Sequence, residues 1–562
     1  MPQGDCRKTT MTNTLLTRHD PAEAHLYHSN GTWGDETHYR LLAANAATRP
    51  ISNALRDGER RINWTQLLNW VDVTAADLAA QGLRPNDRVS LWASNRIESV
   101  VMYLACSRNG YACNPSLHRT YTVSEVGELL ERLSTKAVLV EEDWGADVTR
   151  NDPFEILCQL PSIKKVYRVP SSRDHGCEFP DPASSKDTLP DSDVNPDKVC
   201  YLAFTSGTTG TPKCVMHSDN TLLANARDMV RDWKHDENSR LLSLSPLSHH
   251  IAWVGIAQWL LFGGEFITDD PPAGMSKLDW ILKTEPTYIM GVPTHAIDTL
   301  AEMRQRGLDR MGTVKVFYMA GAPIPPAVAQ AFVDMDILPQ NVYGMTENSS
   351  HHYTWPDDPQ ATICETCGRG GKSYKIKVFD AENPDIELPN GEVGHIAGKG
   401  ACLMLGYFDN QKATEQSFNK DGWFLSGDLG LIDKNGCLRF VGRLKDIIIR
   451  GGKNIHPKKI EDLAIKHPNV EKAAAFPVPD ERLGERVCLA VMPTERDPAG
   501  QEVLSHLFNE GLSKYDMPEY YIVMADLPLT ASGKILKREL AKQAKDGRIA
   551  PNPIRFEGAN EN

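Results

Sequence analysis

The chain has 562 residues, of which 41% are hydrophobic and 24% are charged. These proportions are those of globular proteins, and the length exceeds what one hydrophobic core supports, so we expect at least two domains. Acidic residues outnumber basic ones, 74 against 61, and the net charge of -13 excludes a general affinity for nucleic acids or anionic membranes.

The sequence has no pattern typical of export or of a membrane span. Its longest apolar run, residues 251–264, is shorter than the roughly 20 residues that cross a bilayer, and it predicts a buried core helix instead. The first residues are polar and contain no apolar signal core. Twelve cysteines are scattered without a disulfide framework, which favours reduced thiols and a cytoplasmic protein.

Strand-like runs alternate with helical patterns along the chain, which predicts an α/β fold of layered sheets and helices. The strands are predicted at 88–94, 136–142, 198–204 and 314–323. The stretch 169–197, rich in Pro, Ser and Asp, is predicted to be a surface loop.

The pattern changes in the last quarter of the chain. Residues 421–446 indicate short strands separated by turns, and they are followed by a helix, a strand, a loop, a strand and a helix near 500–514. This change predicts a small C-terminal α+β domain. We predict a large N-terminal domain over 1–442, a hinge over 443–446 and the C-terminal domain over 447–562.

The run TSGTTGTPK, residues 205–213, follows a predicted strand and has the composition of a phosphate-binding loop. Its hydroxyl groups can donate hydrogen bonds, its glycines allow backbone N–H groups to approach oxygen atoms, and Lys213 adds positive charge. It does not match the GxxxxGK[ST] signature of kinases, because Pro212 stands where glycine must precede the lysine. Taken alone, the run is equally consistent with a polar turn.

Four further motifs follow this loop in a fixed order. They are YGMTE at 343–347, SGD at 426–428, GRLKD at 442–446 and PLTASGKILKREL at 528–540. With the loop, they resemble the motifs of the adenylate-forming superfamily, in its acyl-CoA synthetase and aryl-acid CoA ligase branch. The resemblance implies a large N-terminal domain with the nucleotide and acid sites and a small mobile C-terminal domain. It implies that a carboxylate attacks the α-phosphate of ATP, releases pyrophosphate and leaves an acyl-adenylate for a second nucleophile.

The resemblance assigns an ATP-binding set of residues. The resemblance implies that the loop contacts the β- and γ-phosphates of ATP. It also implies that Tyr343 stacks on adenine and that Asp428, assisted by Arg443, accepts hydrogen bonds from the ribose hydroxyls. The whole set comprises Thr205, Ser206, Gly207, Thr208, Thr209, Gly210, Lys213, Gly321, Ala322, Pro323, Tyr343, Gly344, Asp428 and Arg443. Without the ordered motifs, Tyr343 is equally consistent with a core residue and with a residue that stacks on adenine, and Asp428 is better explained as a turn residue.

The same resemblance assigns the catalytic groups. Thr346 donates to the α-phosphate, Glu347 holds Mg²⁺, Lys534 lies between the carboxylate and the α-phosphate, and Lys445 is the hinge residue. Displacement of pyrophosphate concentrates negative charge on the phosphates, so it requires groups of this kind to stabilise that charge. Cys214 and Ser426 depart from the glycine and threonine common in the family, and neither change removes a ligand.

The acid pocket is expected to include SPLSHHIAWVGI at 245–256, GVPT at 291–294 and AGAP at 320–323, with His249, Trp253, Gly291 and Met345 as its named residues. His249 is also assigned to the catalytic set, between the acyl pocket and the thiol channel. HHIAWVG fails the HHxxxDG acyltransferase motif at Val254. No acidic residue lies between Ser243 and Gly264, so we expect a plain carboxylic acid rather than an amino acid, of cyclic, aromatic or medium-chain type.

The segment GGKNIHPKKIE, residues 451–461, resembles the segment that lines the pantetheine tunnel of CoA ligases, where Gly451 and Gly452 leave room for the thiol arm. Free CoA is the expected acceptor, and a separate carrier protein is the alternative. A regulator that binds nucleotide without catalysis is a further class, which the intact Lys534, Glu347 and Asp428 disfavour. The oligomeric state, monomer or homodimer, stays open.

Overall fold

The computed structural model describes residues 15–18, 20–172, 178–205, 212–321, 324–451, 453–529 and 534–556. The fold is α/β, with a large N-terminal region of layered sheets and helices and a small C-terminal α+β unit, as the sequence predicts. None of the helices in the described ranges has the length and apolar character needed to cross a bilayer.

An eight-stranded sheet forms one layer of the N-terminal region. Its six central strands are parallel to one another, and an antiparallel strand closes each edge. In spatial order, the strands are Ser349–Tyr353, Leu338–Met345, Val316–Met319, Tyr288–Gly291, Arg240–Ser243, Glu265–Thr268, Asn53–Asp57 and Arg60–Asn63.

A six-stranded sheet forms the second layer. Five of its strands are parallel, and the last pairs antiparallel with its neighbour as a hairpin. In spatial order, the strands are Lys165–Val169, Ala137–Glu141, Arg88–Trp92, Ala112–Asn114, Val199–Thr205 and Lys213–Ser218. All four predicted strand runs are therefore strands, and the described part of 170–198 contains neither helix nor strand.

Helices fill the space between the sheets and cover their outer faces. Helix Ile97–Asn109 is buried along its whole length, and helix His250–Phe262 is the buried helix predicted from residues 251–264. Both contribute to one core that also takes Leu91 and Tyr201 from the six-stranded sheet and Leu241 from the eight-stranded sheet. The remaining helices are Pro21–Ser29, His38–Thr48, Trp64–Ala80, Val123–Leu133, Pro153–Leu157, Asp219–Trp233, Lys277–Thr284, Pro293–Gln305, Pro326–Val333, Gln360–Glu365 and Gln411–Glu415.

A four-stranded antiparallel sheet links the N-terminal layers to the C-terminal unit. Its strands are Tyr374–Phe379, Gly394–Gly400, Phe424–Ile432 and Leu438–Arg443. The last strand ends at Arg443, and a 3-10 turn over Leu444–Asp446 follows it. This turn coincides with the predicted hinge, although the domain boundaries themselves stay a prediction.

The C-terminal unit has hydrophobic clusters of its own. Helices pack on one mixed sheet, in the order of helix, two long strands and helix that the sequence predicts. Its strands are Ile448–Arg450, Lys453–Ile455, Val470–Asp480, Gly484–Pro493, Tyr520–Val523 and Asn552–Pro553, and its helices are Pro457–Ala464, Gly500–Asn509 and Lys537–Lys545.

Candidate active site

The predicted site residues gather where parallel strands of the eight-stranded sheet end. Strands that end at Ser243, Gly291, Met319 and Met345 are neighbours in this sheet, so the segments that follow them meet at one edge. Ligand sites of α/β proteins commonly form outside the carboxyl ends of such strands.

The turn that contains Thr346 and Glu347 is held by its backbone. The carbonyl oxygens of Met345, Thr346 and Glu347 accept from Asn348 N at 3.1 Å, His217 Nε2 at 2.7 Å and Met404 N at 2.7 Å respectively. A Cβ on Gly344 would lie 1.8 Å from the Ser349 carbonyl oxygen, so only glycine permits this close approach. The side chains of Thr346 and Glu347 therefore project from a fixed backbone.

Glu347 lies in a desolvated and partly cationic environment. Burial raises the pKa of its carboxyl, while the Tyr407 hydroxyl, Lys213 and Arg443 act in the opposite direction. Tyr407 donates to Glu347 Oε1 at 2.9 Å, and Lys213 Nζ lies 4.4 Å from the centre of the Tyr407 ring. The lysine of the loop and the carboxylate of YGMTE are thus brought together. A partly buried carboxylate of this kind fits a hard divalent ion such as Mg²⁺.

Asp428, Tyr343 and Arg443 form a second cluster beside this turn. Asp428 and Arg443 face each other across two antiparallel strands, with Arg443 Nε 3.6 Å from Asp428 Oδ1. Tyr343 donates its hydroxyl to Asp428 Oδ2 at 3.0 Å. Burial raises the pKa of Asp428, and the nearby Arg443 opposes that rise. The structure therefore brings together the residues predicted for adenine and ribose.

Lys534, from the C-terminal unit, reaches the strand ends of the N-terminal region. A Cβ on Gly321, whose φ is +86°, would lie 3.9 Å from Lys534 Cε, 3.6 Å from Val292 Cγ1 and 3.7 Å from Ile251 Cδ1. Desolvation and the charge of Arg443 lower the pKa of Lys534 to about 8, against the opposing effects of Asp428 and Glu347. The ammonium therefore lies in the electrostatic field of both predicted carboxylate ligands.

His249 lies beside a second imidazole ring, that of His118. It is the N-cap of helix His250–Phe262, and its ring centre lies 4.4 Å from that of His118. His118 Nδ1 lies 3.0 Å from Ser248 Oγ, and burial, with His249 beside it, lowers the pKa of His118 to about 3. Two imidazole rings thus lie side by side at the start of this helix. Sequence reasoning missed His118, which precedes a polar turn and carries no motif.

The other residues predicted for the acid pocket lie in different surroundings. Trp253 is 1% exposed, packs in the N-terminal core against Tyr103 and donates to Leu247 O at 2.6 Å. Gly291 ends a strand, where a Cβ would lie 3.0 Å from His295 Nδ1, and Met345 packs between two hydrophobic clusters.

Ile251 and Val292 are apolar side chains that approach Gly321, as Lys534 does. Both lie in the segments that the sequence predicts for the acid pocket, but neither is among its named residues.

Several predicted residues lie outside the described ranges. They are Ser206, Gly207, Thr208, Thr209 and Gly210 of the loop, Ala322 and Pro323 of AGAP, and Gly452 of the proposed tunnel. Thr205 and Lys213 flank the loop and pair across its hairpin. Lys445 is exposed in the 3-10 turn, and Gly451 follows strand Ile448–Arg450.

Family models match most of the chain. Residues 42–408 match the model described as AMP-binding enzyme, and residues 459–534 match its C-terminal domain. The chain is 28% identical over 529 residues to a medium-chain fatty-acid–CoA ligase of Escherichia coli (strain K12), with 92% of each chain covered. It is 28% identical over 513 residues to the mitochondrial medium-chain acyl-CoA ligase ACSF2 of Homo sapiens, with 86% of this chain and 83% of that one covered.

Solved structures share the fold of this chain. The chain is similar to ATP-bound MatB from Rhodopseudomonas palustris, with 26% identity, a TM-score of 0.80 and coverage of 92% of this chain and 100% of that one. An anthranilate CoA ligase, AuaEII, with anthranoyl-AMP shares the fold at 21% identity and a TM-score of 0.80, covering 91% of this chain and 98% of that one. The motifs, the fold and the match over 42–408 agree, and the chain belongs to the AMP-binding enzyme family.

Proposed function

We propose that this enzyme is an AMP-forming acid–thiol ligase, which activates a carboxylic acid with ATP and transfers the acyl group to the thiol of CoA. The position of Lys534 carries the proposal. It brings an ammonium from the C-terminal unit to Gly321, within the field of Glu347 and Asp428. The named relatives are CoA ligases, which supports the same chemistry.

In the first half-reaction, a carboxylate oxygen of the acid bonds to the α-phosphorus of ATP, and the bond to pyrophosphate breaks. Lys534 lies between these two anions and offsets their repulsion, while Thr346 donates to the α-phosphate. Asp428 and Arg443 hold the ribose, and Tyr343 supports adenine. Mg²⁺, held by Glu347, would neutralise charge that develops on the departing phosphates.

In the second half-reaction, the thiol sulfur of CoA bonds to the acyl carbon, AMP leaves and the thiol proton passes to solvent or a base. We place His249 where the thiol meets the acyl group. The C-terminal unit turns about residues 443–446, with Lys445 in the hinge, and presents Gly451 and Gly452 to the thiol arm. The domain division at 1–442, 443–446 and 447–562 belongs to this proposal.

The substrate is a medium-chain, cyclic or aromatic acid. Ile251 and Val292, which approach Gly321 as Lys534 does, are apolar, and the acid's chain would bury its surface against them. Two named relatives act on medium-chain acids. We place the reaction in the cytoplasm, in keeping with the cysteine usage, although one relative carries a mitochondrial name.

The test is pyrophosphate release across a panel of straight-chain, cyclic and aromatic acids, with and without CoA. We expect release with a subset of apolar acids and thioester formation when CoA is present. A carrier protein as the acceptor would give release without a CoA thioester. Absence of release with every acid would overturn the proposed activity.

A further inference from the structure

We propose that His217 is a positioning residue for the first half-reaction, which keeps Thr346 aimed at the α-phosphate by holding its backbone carbonyl. The inference rests on the proposed function, because it assigns a support to a residue of that site. In the described part of the chain, the hydrogen bonds of His217 join it to the Thr221 hydroxyl and the Thr346 carbonyl oxygen. Its action is on the peptide group that follows Thr346.

The strand Lys213–Ser218 carries His217 to this place. Successive side chains of a strand point to opposite faces, so Lys213, Val215 and His217 share one face. Lys213 lies over Tyr407, Val215 packs in the cluster that contains Tyr407, and His217 reaches the Thr346 carbonyl oxygen at 2.7 Å. One strand therefore ties the end of the phosphate loop to the YGMTE turn.

The contacts of His217 fix its tautomer. A carbonyl oxygen only accepts, so Nε2 carries the proton and donates to Thr346 O. Nδ1 then accepts from the Thr221 hydroxyl at 3.0 Å, since burial lowers the pKa of His217 to about 4 and keeps the ring neutral. His217 is fully buried, and the His250 ring stacks on it at 5.5 Å with an interplanar angle of 18°.

The neighbouring carbonyls show why this one contact matters. Backbone N–H groups of Asn348 and Met404 hold the carbonyls on either side of Thr346, and the Asn348 carbonyl accepts from Cys402 Sγ at 3.3 Å. Only His217 supplies a side chain that connects the turn to the phosphate-loop hairpin through the Thr346 peptide group, among the contacts of the described residues. Loss of the donor would leave a carbonyl without its partner and allow the peptide to rotate.

Two variants that differ by one methylene group test the assignment. In His217→Gln, the amide nitrogen can occupy the place of Nε2 and donate to Thr346 O; in His217→Asn, the shorter side chain reaches only the place of Nδ1. We expect His217→Gln to keep adenylation within about threefold of wild type and His217→Asn to lower kcat roughly tenfold, the scale of one buried hydrogen bond. Equal rates in the two variants would overturn the proposal.

A double-mutant cycle separates positioning from general support of the fold. We expect His217→Asn to cost little in a Thr346→Val background, because the hydroxyl that it aims is already absent. Losses that multiply would show that His217 is only structural. Should His217→Asn fail to fold, Thr221→Val with Thr221→Ser as its matched control removes the partner of Nδ1, and equal rates for these two would count against the fixed tautomer.

Equilibrium ATP binding distinguishes this proposal from the proposed function. If none of the acids tested causes the wild-type protein to release pyrophosphate, the proposed ligase activity is refuted. ATP affinity of the same variants still reports on His217, because Thr346 contacts a phosphate in the bound state. Weaker binding in His217→Asn than in His217→Gln supports positioning, and equal affinities overturn it.

Discussion

The rate of adenylation is expected to fall as the pH rises through about 8, because Lys534 acts as an ammonium. Its pKa is lowered from the ordinary value of 10.5 to about 8, mainly by desolvation and then by the charge of Arg443. The protonated form offsets the repulsion between the carboxylate and the α-phosphate, so activity is present below this pKa and lost above it.

The size of the effect follows from the protonated fraction. With a pKa of about 8, this fraction is about 0.9 at pH 7 and about 0.1 at pH 9, so kcat/KM for ATP should fall about tenfold over that range. The parameter kcat/KM is the suitable one, since it reports ionisations of the free enzyme. Bound ATP adds negative charge beside the ammonium, so the fall in kcat should lie at higher pH.

The assay is initial pyrophosphate release at low ATP from pH 6.5 to 9.5, with Lys534→Arg as the matched control. A guanidinium stays charged throughout, so the profile of Lys534→Arg should lose the fall near pH 8, whatever its absolute rate. Conversion of supplied acyl-adenylate and CoA is measured alongside, since that step does not need Lys534. The same fall near pH 8 in Lys534→Arg, or its absence from the wild type, would refute the reasoning.

Three other substitutions separate the roles of the site. Lys534→Ala should lower adenylation roughly 10²–10³-fold, the scale of one electrostatic contact, yet convert supplied acyl-adenylate at near the normal rate; equal losses in both assays would make Lys534 structural. Glu347→Gln should slow adenylation by roughly 10² and weaken its dependence on Mg²⁺, and an unchanged rate at limiting Mg²⁺ would rule out the metal role. Lys445→Pro should restrict φ in the hinge and block thioester formation while sparing pyrophosphate release, so a parallel decline of both half-reactions would contradict the hinge.

The sequence predicts the fold class and the site motifs because short-range patterns carry them. Alternating strand and helix signals identify the layers, and ordered motifs identify Tyr343, Glu347, Asp428 and Lys534. The contacts that connect these motifs cannot be predicted from such local patterns. The hydrogen bond from Tyr407 to Glu347 joins residues 60 positions apart, and no local pattern marks Tyr407 as a partner.

The helix His250–Phe262 shows a second limit. Its residues are buried almost all the way round, so no polar face indicates its orientation. Ile251 and Trp253 are two residues apart, about 200° around the helix axis, and therefore face different surroundings. Ile251 approaches Gly321, as Lys534 does, whereas Trp253 packs against Tyr103 in the core. Which of these two residues faces the site depends on how the helix packs on its sheets, and the sequence does not show that packing.

The burial of helix Ile97–Asn109 along its whole length also determines how the protein loses its structure. All 13 of its residues are buried, and eight of them belong to a core that draws side chains from both large sheets. Separation of the sheets would expose apolar side chains of this helix to water, so we expect the two sheets to stabilise each other. We therefore expect the two layers to unfold together, so that a protease that cuts a surface loop releases neither layer as a folded fragment.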